Sequence, residues 1–283
     1  MSETPLPQLP PRDPESHKGD YGRALLIGGS RGMSGAIALA GMATLRSGAG
    51  LVTLGVPEAC LVTVAAFEPS YMTLPLPCDA AGRLRHDAAQ QLTEPLEVAT
   101  AVACGPGWGR STALAQLAQG LFTKIAQPTV FDADALNGLV AAGATLSHHA
   151  GPRILTPHPG EFARLVGEDL EADARSERAV QLARDAGLIV VLKGHRTLIT
   201  DGTEVFHNTT GNAGMATGGC GDVLTGVITG LLCQGLTPLE AARLGVYLHG
   251  RAGDLAAEQL GEVSLIASDL LAYLPAAFRD QRA

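Results

Sequence analysis

The sequence holds no apolar run long enough to cross a bilayer, and Met1 to Ser16 is polar and proline-rich where a secretion signal would have an apolar core. No membrane partner is expected, and the expected location is cytoplasmic. There is no CxxC pair. The five cysteines, Cys60, Cys78, Cys104, Cys220 and Cys233, are odd in number, which argues against a disulfide framework and against a zinc site. Nor is there a basic stripe: the net charge is −8 and the lysines and arginines are scattered, so no nucleic-acid partner is expected. Repeats, a dividing linker and low-complexity segments beyond the first residues are also missing. What remains is a 283-residue chain whose 46% apolar content supports a sizeable core.

Glycine is the conspicuous presence. The string Gly211-Asn212-Ala213-Gly214-Met215-Ala216-Thr217-Gly218-Gly219-Cys220-Gly221-Asp222 runs into the apolar segment Val223 to Leu232, which reads as a buried helix. The last glycines then fall at the first turn, where backbone N–H groups lack intrahelical partners and the helix dipole adds positive charge. Such a junction suits a phosphate or a developing anion, and the amides of Gly219, Cys220 and Gly221 form the candidate anion hole. Asp222 would repel that anion unless it has a chemical task. It can take the proton of a hydroxyl attacking a phosphoryl group held by those amides. The alternative is that it stabilises the helix start electrostatically. Cys220 has no local histidine to activate it and reads as a small residue that fits the turn.

Earlier in the chain, Ala24 to Ile27, the turn Gly28-Gly29-Ser30, the small-residue run Gly35 to Ala40 and Leu51 to Leu54 read as strand, turn, helix, strand, hence a parallel βαβ unit. Spacing after Gly28 does not match GxGxxG, and no acid ends the second strand to hold a ribose, so a standard dinucleotide-binding domain is disfavoured. Glu68 to Pro77 reads as a loop with extended pieces and Leu84 to Leu96 as a helix. Val98 to Cys104 reads as a strand ending in the turn Gly105-Pro106-Gly107-Trp108-Gly109, either a ligand site or a plain βα turn. Thr129 to Phe131 leads to Asp132 and Asp134, and Arg153 to Leu155 leads to His158 and Glu161. Two prolines stiffen the backbone around His158, which suits presentation to a ligand. Asp132, Asp134 and Glu161 can hold water or magnesium, though helix starts explain them nearly as well. Glu177 to Ala186 reads as an amphipathic helix, and Leu188 to Leu192 as a buried strand ending in Lys193-Gly194-His195-Arg196-Thr197. Asp201-Gly202 marks a hairpin. Helices are expected over Pro238 to Leu260 and Ser264 to Leu274, the last ending before Pro275, with His249 serving in packing.

The central glycine string resembles the signature of the ADP-dependent NAD(P)H-hydrate dehydratases, a branch of the ribokinase-like superfamily. His17-Lys18-Gly19, Gly28-Gly29, Ser34-Gly35-Ala36 and Ser47 to Val52 are similar to that family's N-terminal half, and Lys193 to Thr197 to its nucleotide-contacting KGxxT. The resemblance implies a ribokinase-like three-layer α/β/α fold with a mainly parallel central sheet, an irregular arm over 1–16 and one catalytic domain over 17–277. It implies that Ala36, Gly107, His158 and Asp222 bind the substrate. Lys193, Gly194, His195, Arg196, Thr197 and Gly221 would bind the nucleotide, with Asp222 as catalytic base and no metal ligand assigned. The implied reaction removes water from the S-epimer of hydrated NADH or NADPH by phosphorylating the C6 hydroxyl and eliminating phosphate. ADP is the implied co-substrate, AMP the product and Mg2+ the cofactor. A homo-oligomer, with a tetramer as one form, and pairing with a separate NAD(P)H-hydrate epimerase are further expectations, since no fused epimerase domain is seen. The rivals are a small-molecule kinase of the same superfamily and a non-catalytic dinucleotide sensor.

Overall fold

The computed structural model describes residues 5–282, so residues 1–4 of the expected arm lie outside the described residues. Nine strands form one sheet: β1 (Arg23–Ile27), β2 (Leu51–Pro57), β3 (Met72–Leu76), β4 (Ala101–Cys104), β5 (Thr129–Phe131), β6 (Arg153–Leu155), β7 (Ile189–Leu192), β8 (Leu198–Thr200) and β9 (Val205–His207). Their order is β3-β2-β1-β4-β5-β6-β7-β8-β9. Pairing is parallel from β3 through β7 and antiparallel across β7, β8 and β9. The direction of winding reverses between β1 and β4. In such sheets the crevice outside the carboxyl ends of those two strands is where ligands settle.

The helices are α1 (Ser34–Arg46), α2 (Leu61–Ala65), α3 (Ala88–Gln91), α4 (Thr93–Val98), α5 (Thr112–Lys124), α6 (Asp134–Ala141), α7 (Pro159–Val166), α8 (Ala172–Ala186), α9 (Cys220–Cys233), α10 (Pro238–Leu260) and α11 (Ala267–Arg282). Alternate strand residues point to opposite faces. Leu26, Leu54, Ala103 and Val130 therefore face one core with α1, α9, α10 and α11, while Leu25, Ile27, Val102 and Phe131 face a second with α5, α6 and α8. This is the expected three-layer α/β/α arrangement with a mainly parallel sheet.

Three local expectations need correction. Leu84 to Leu96 is not one helix: Leu84 bridges to Cys78, and α3 gives way to α4, where Pro95 sits in the first turn, the one part of a helix that tolerates it. Val98 ends α4 and is exposed, leaving β4 shorter than the apolar run suggests. The extended piece expected in the segment with Pro75 is the edge strand β3, where proline's missing N–H costs little. Finally, α11 continues through Pro275 to Arg282, because Leu270 and Leu274 before it and Ala277 after it are all buried in one core.

Candidate active site

α9 begins where the sequence placed it. Its N-cap, Gly219, has φ 97°, a left-handed conformation that glycine adopts without steric cost. The first-turn N–H groups of Cys220, Gly221 and Asp222 have no intrahelical acceptors, and the cap residue has no side chain to cover them. Asp222 stands in this first turn. Its carboxyl is pushed up to about 7, first by burial and then by the neighbouring Asp132 charge, with Lys193 pulling the other way and Asp134 and Glu161 adding to the rise. A carboxyl that titrates near neutrality in a cleft is matched to proton abstraction. The Cys220 thiol is raised by burial, opposed by a hydrogen bond from Thr217 and reinforced by Asp222, so it stays protonated and unreactive.

The neighbour that sequence inspection left ambiguous turns out to be the hub. Asp132, at the carboxyl end of β5, is almost fully buried and accepts from Lys193 Nζ at 2.7 Å, Thr156 Oγ1 at 2.7 Å and Thr225 Oγ1 at 2.8 Å. Thr156 follows β6, and Thr225 lies three residues after Asp222 on α9, so β5, β6, β7 and α9 are tied through one carboxylate. Lys193 Nζ also lies 3.8 Å from Glu161 Oε2. Burial pulls the Lys193 pKa down, but Asp132, Glu161, the hydrogen bond to Asp132 and Asp222 outweigh it, and the ammonium stays charged. A Cβ built on Gly221 would stand 3.3 Å from Lys193 Nζ and 3.8 Å from Asp132 Oδ2. The lysine expected to contact nucleotide from a turn is therefore turned inward, beside the first turn of α9.

The rest of its segment stays outside. Gly194, His195 and Arg196 are exposed in the β7–β8 turn, Arg196 at φ 56°, and Thr197 Oγ1 donates to the Gly194 carbonyl at 3.1 Å. Gly194, His195 and Arg196 line a cleft of about 470 Å³ shared with Lys193, Pro159, Leu198 and His207.

On the other side, α1 and α9 run parallel: Leu39 meets Gly219, Ala40 meets Gly226 and Ser47 meets Gly230. Thr44 Oγ1 donates to the Gly226 carbonyl at 3.1 Å. This register sets the first turn of α1, with Ala36, beside that of α9, with Asp222. Gly107 abuts Ala36, since a Cβ there would come 3.0 Å from Ala36 Cβ, and its carbonyl accepts from Ser30 Oγ at 2.8 Å. His158 is less free than its loop suggested. It caps α7, with Nδ1 accepting from the Gly160 and Glu161 N–H groups at 3.0 and 3.4 Å, while Nε2 lies 3.5 Å from Glu161 Oε1. Its ring is half exposed toward the same edge.

Among the described residues no group of three or more His, Cys, Asp or Glu side chains is arranged to hold a metal ion. Asp132 accepts from three donors, Asp134 accepts from Gly109 N–H at 2.8 Å and Glu161 from His158 N–H at 2.8 Å. Thus the described residues offer no all-protein cage. A hydrated magnesium ion carried on nucleotide phosphates, the common mode for that small, reluctantly dehydrated cation, needs no such cage.

A mostly parallel sheet with glycine turns and helix N-termini gathered at its switch point is the build of the ribokinase-like superfamily, and this chain shares that fold. Within that class it belongs to the NAD(P)H-hydrate dehydratase family, whose profile matches residues 24–276. It is 48% identical over 277 residues to the bifunctional NAD(P)H-hydrate repair enzyme Nnr of Moorella thermoacetica, covering 96% of this chain and 52% of that protein. The chain thus spans about half the length of the first relatives it matches. It is 40% identical over 269 residues to the ADP-dependent (S)-NAD(P)H-hydrate dehydratase of Neisseria meningitidis, covering 92% of this chain and 84% of the relative. The solved ADP/ATP-dependent NAD(P)H-hydrate dehydratase of Bacillus subtilis, co-crystallised with ATP and Mg2+, superposes with TM-score 0.83 at 33% identity, over 99% of this chain and 100% of that one.

Proposed function

We propose that the chain catalyses the ADP-dependent dehydration of the S-epimer of hydrated NADH and NADPH, returning the reduced dinucleotide with AMP and phosphate. The observation that carries this is Asp222, a carboxyl poised near neutrality in the first turn of a helix whose free amides and a charged lysine face the same space. Asp222 takes the proton of the C6 hydroxyl as its oxygen forms a bond to the β-phosphorus of ADP and the bond to the AMP oxygen breaks. Backbone amides from Gly219 to Gly221 and the Lys193 ammonium hold the charge spreading over the phosphoryl oxygens. The C6–O bond then breaks, phosphate departs with the electron pair, and loss of a proton from the adjacent ring carbon restores the conjugated ring. Hydroxide is a poor leaving group, and phosphorylation is what makes this elimination accessible.

In the same proposal the ADP base and ribose occupy the cleft lined by His195 and Arg196, and Thr197 shapes its turn. Ala36, Gly107 and His158 receive the nicotinamide end across the β1–β4 crevice. Magnesium bound with ADP supplies charge neutralisation on the phosphates, and no side chain of this chain is assigned to it. A homo-oligomer, a cytoplasmic setting and cooperation with an epimerase that interconverts the two hydrates belong to this proposal; bifunctional names among the relatives support the last. The test incubates the protein with hydrated NADH, Mg2+ and either ADP or ATP, following absorbance at about 340 nm, the band of reduced nicotinamide. Stoichiometric AMP and phosphate with rising absorbance is the expected result. Nucleotide consumption with no absorbance gain and a stable phosphorylated product would instead identify a kinase of the same fold.

A further inference from the structure

α10 lies along the glycine string and grips it at both ends. At the start of the string, Asp254 accepts from the Gly211 N–H at 2.9 Å and from Asn212 Nδ2 at 3.0 Å. In its middle, Gly253 lets Met215 pack so closely that a Cβ would stand 2.2 Å from the Met215 sulfur. At the far end, His249 Nε2 lies 2.8 Å from the carbonyl oxygen of Cys220. A carbonyl only accepts, so Nε2 carries a proton and is the donor. Burial first, and then the Lys193 charge, against the contribution of the Cys220 bond, lower the His249 pKa to about 4, which keeps the ring neutral across the working range.

The acceptor matters because the Cys220 carbonyl and the Gly221 N–H belong to one planar peptide unit. Fixing the carbonyl fixes the opposite direction, in which the N–H points, and a hydrogen bond on the oxygen polarises that N–H further. Gly221 is the residue whose α-carbon faces Lys193 and Asp132. We infer that His249 is a positioning residue: by donating to the Cys220 carbonyl it holds the Cys220–Gly221 peptide so that the Gly221 N–H is aimed at the phosphoryl group being transferred. The inference rests on the dehydratase proposal for the identity of that group, and it replaces the packing role that the helical pattern around His249 suggests.

Two variants test it. His249→Leu keeps bulk and removes the donor; His249→Gln keeps an N–H donor. In the leucine variant kcat is expected to fall about 10–100-fold, less than the 10²–10³ typical of deleting an oxyanion-hole donor outright, with KM for the dinucleotide and Tm little changed. Glutamine should restore most of the loss, which a packing role would not require. If leucine does not fold there, His249→Met serves the same purpose. The ratio of AMP to ADP dissociation constants is read in parallel, because it isolates the β-phosphate and needs no turnover. It is expected to fall toward one in the leucine variant and recover in the glutamine variant. Normal kcat in a folded leucine or methionine variant, equal loss in both substitutions, a wild-type ratio already at one, or a ratio the substitution leaves unchanged would each overturn the inference. Absence of dehydration by the wild-type protein, with the ratio behaving as stated, would instead reject the dehydratase proposal and leave the positioning role standing.

Discussion

Asp222 carries two opposite expectations. A first-turn aspartate with only a helix-end role stabilises by about 0.3–1 kcal/mol, so Asp222→Asn would lower Tm modestly and spare turnover. Here, however, the carboxyl is raised to about 7 by burial and by Asp132. A group whose folded pKa lies above its unfolded value favours folding at pH below the unfolded value, and loses that contribution as pH rises through the folded one. Above pH 7 the wild-type protein thus holds a charge it would hold more cheaply unfolded. Asp222→Asn is therefore expected to raise stability by about 1–4 kcal/mol at pH 8 and to have little effect at pH 4, while turnover falls about 10²–10⁴-fold. Thermal melts at both pH values, with kcat on the same preparation, check this. In the wild-type protein kcat/KM should show an acid limb near pH 7. Lys193→Met makes a complementary case: it leaves the buried Asp132 carboxylate with only the Thr156 and Thr225 hydroxyls. A loss of about 3–5 kcal/mol in denaturant unfolding is expected, together with loss of turnover.

At the scale of elements, the α1–α9 pair does the placing. Its close approach depends on glycine, since a Cβ at Gly226 would stand 2.1 Å from the Ala40 carbonyl oxygen, a backbone atom that cannot swing away. Gly226→Ala should cost about 1–3 kcal/mol by overpacking and should lower turnover beyond what lost stability explains, because the first turns bearing Ala36 and Asp222 separate. Gly221→Val tests a different property. The nearest atom to the new Cβ is the end of the flexible Lys193 side chain, at 3.3 Å. The fold is expected to persist with near-native circular dichroism while catalysis falls sharply, because the valine occupies the path of the phosphoryl group. Native turnover in that variant would reject the anion site.

For the whole molecule, every proposed contact lies on the carboxyl edge of one sheet, and the chain carries a net charge of −8. The proposed anion binding relies on backbone amides and one internal lysine instead of a basic surface. Saturating ADP should raise stability by about 2.7 kcal/mol at a hundredfold excess over Kd. Hydrogen exchange should slow at Gly211 to Asp222 and at Lys193 to Thr197, and stay unchanged around Pro152, Gly187 and Asp201 on the opposite edge. Protection of that opposite edge would refute the shared-edge arrangement.

Local chemistry along the chain was enough to place several elements. Short continuous apolar runs bounded by turns pointed to most strands, the glycine string with its apolar successor to α9 and its open first turn, and Asp201-Gly202 to the hairpin, because each depends on residues adjacent in the chain. Asp222 stood out for the same reason, as an acid beside glycines that favour anions. Packing alone makes Asp132 the hub, since its donors Lys193, Thr156 and Thr225 come from three other parts of the chain. It also turned Lys193 inward, committed His158 Nδ1 to a helix cap and gave His249 a carbonyl to hold. The continuation of α11 through Pro275 has the same origin: burial on both sides of the proline outweighs its local preference to stop. Burial and charge at a point in space sum over all packed elements, and no stretch of sequence contains that sum.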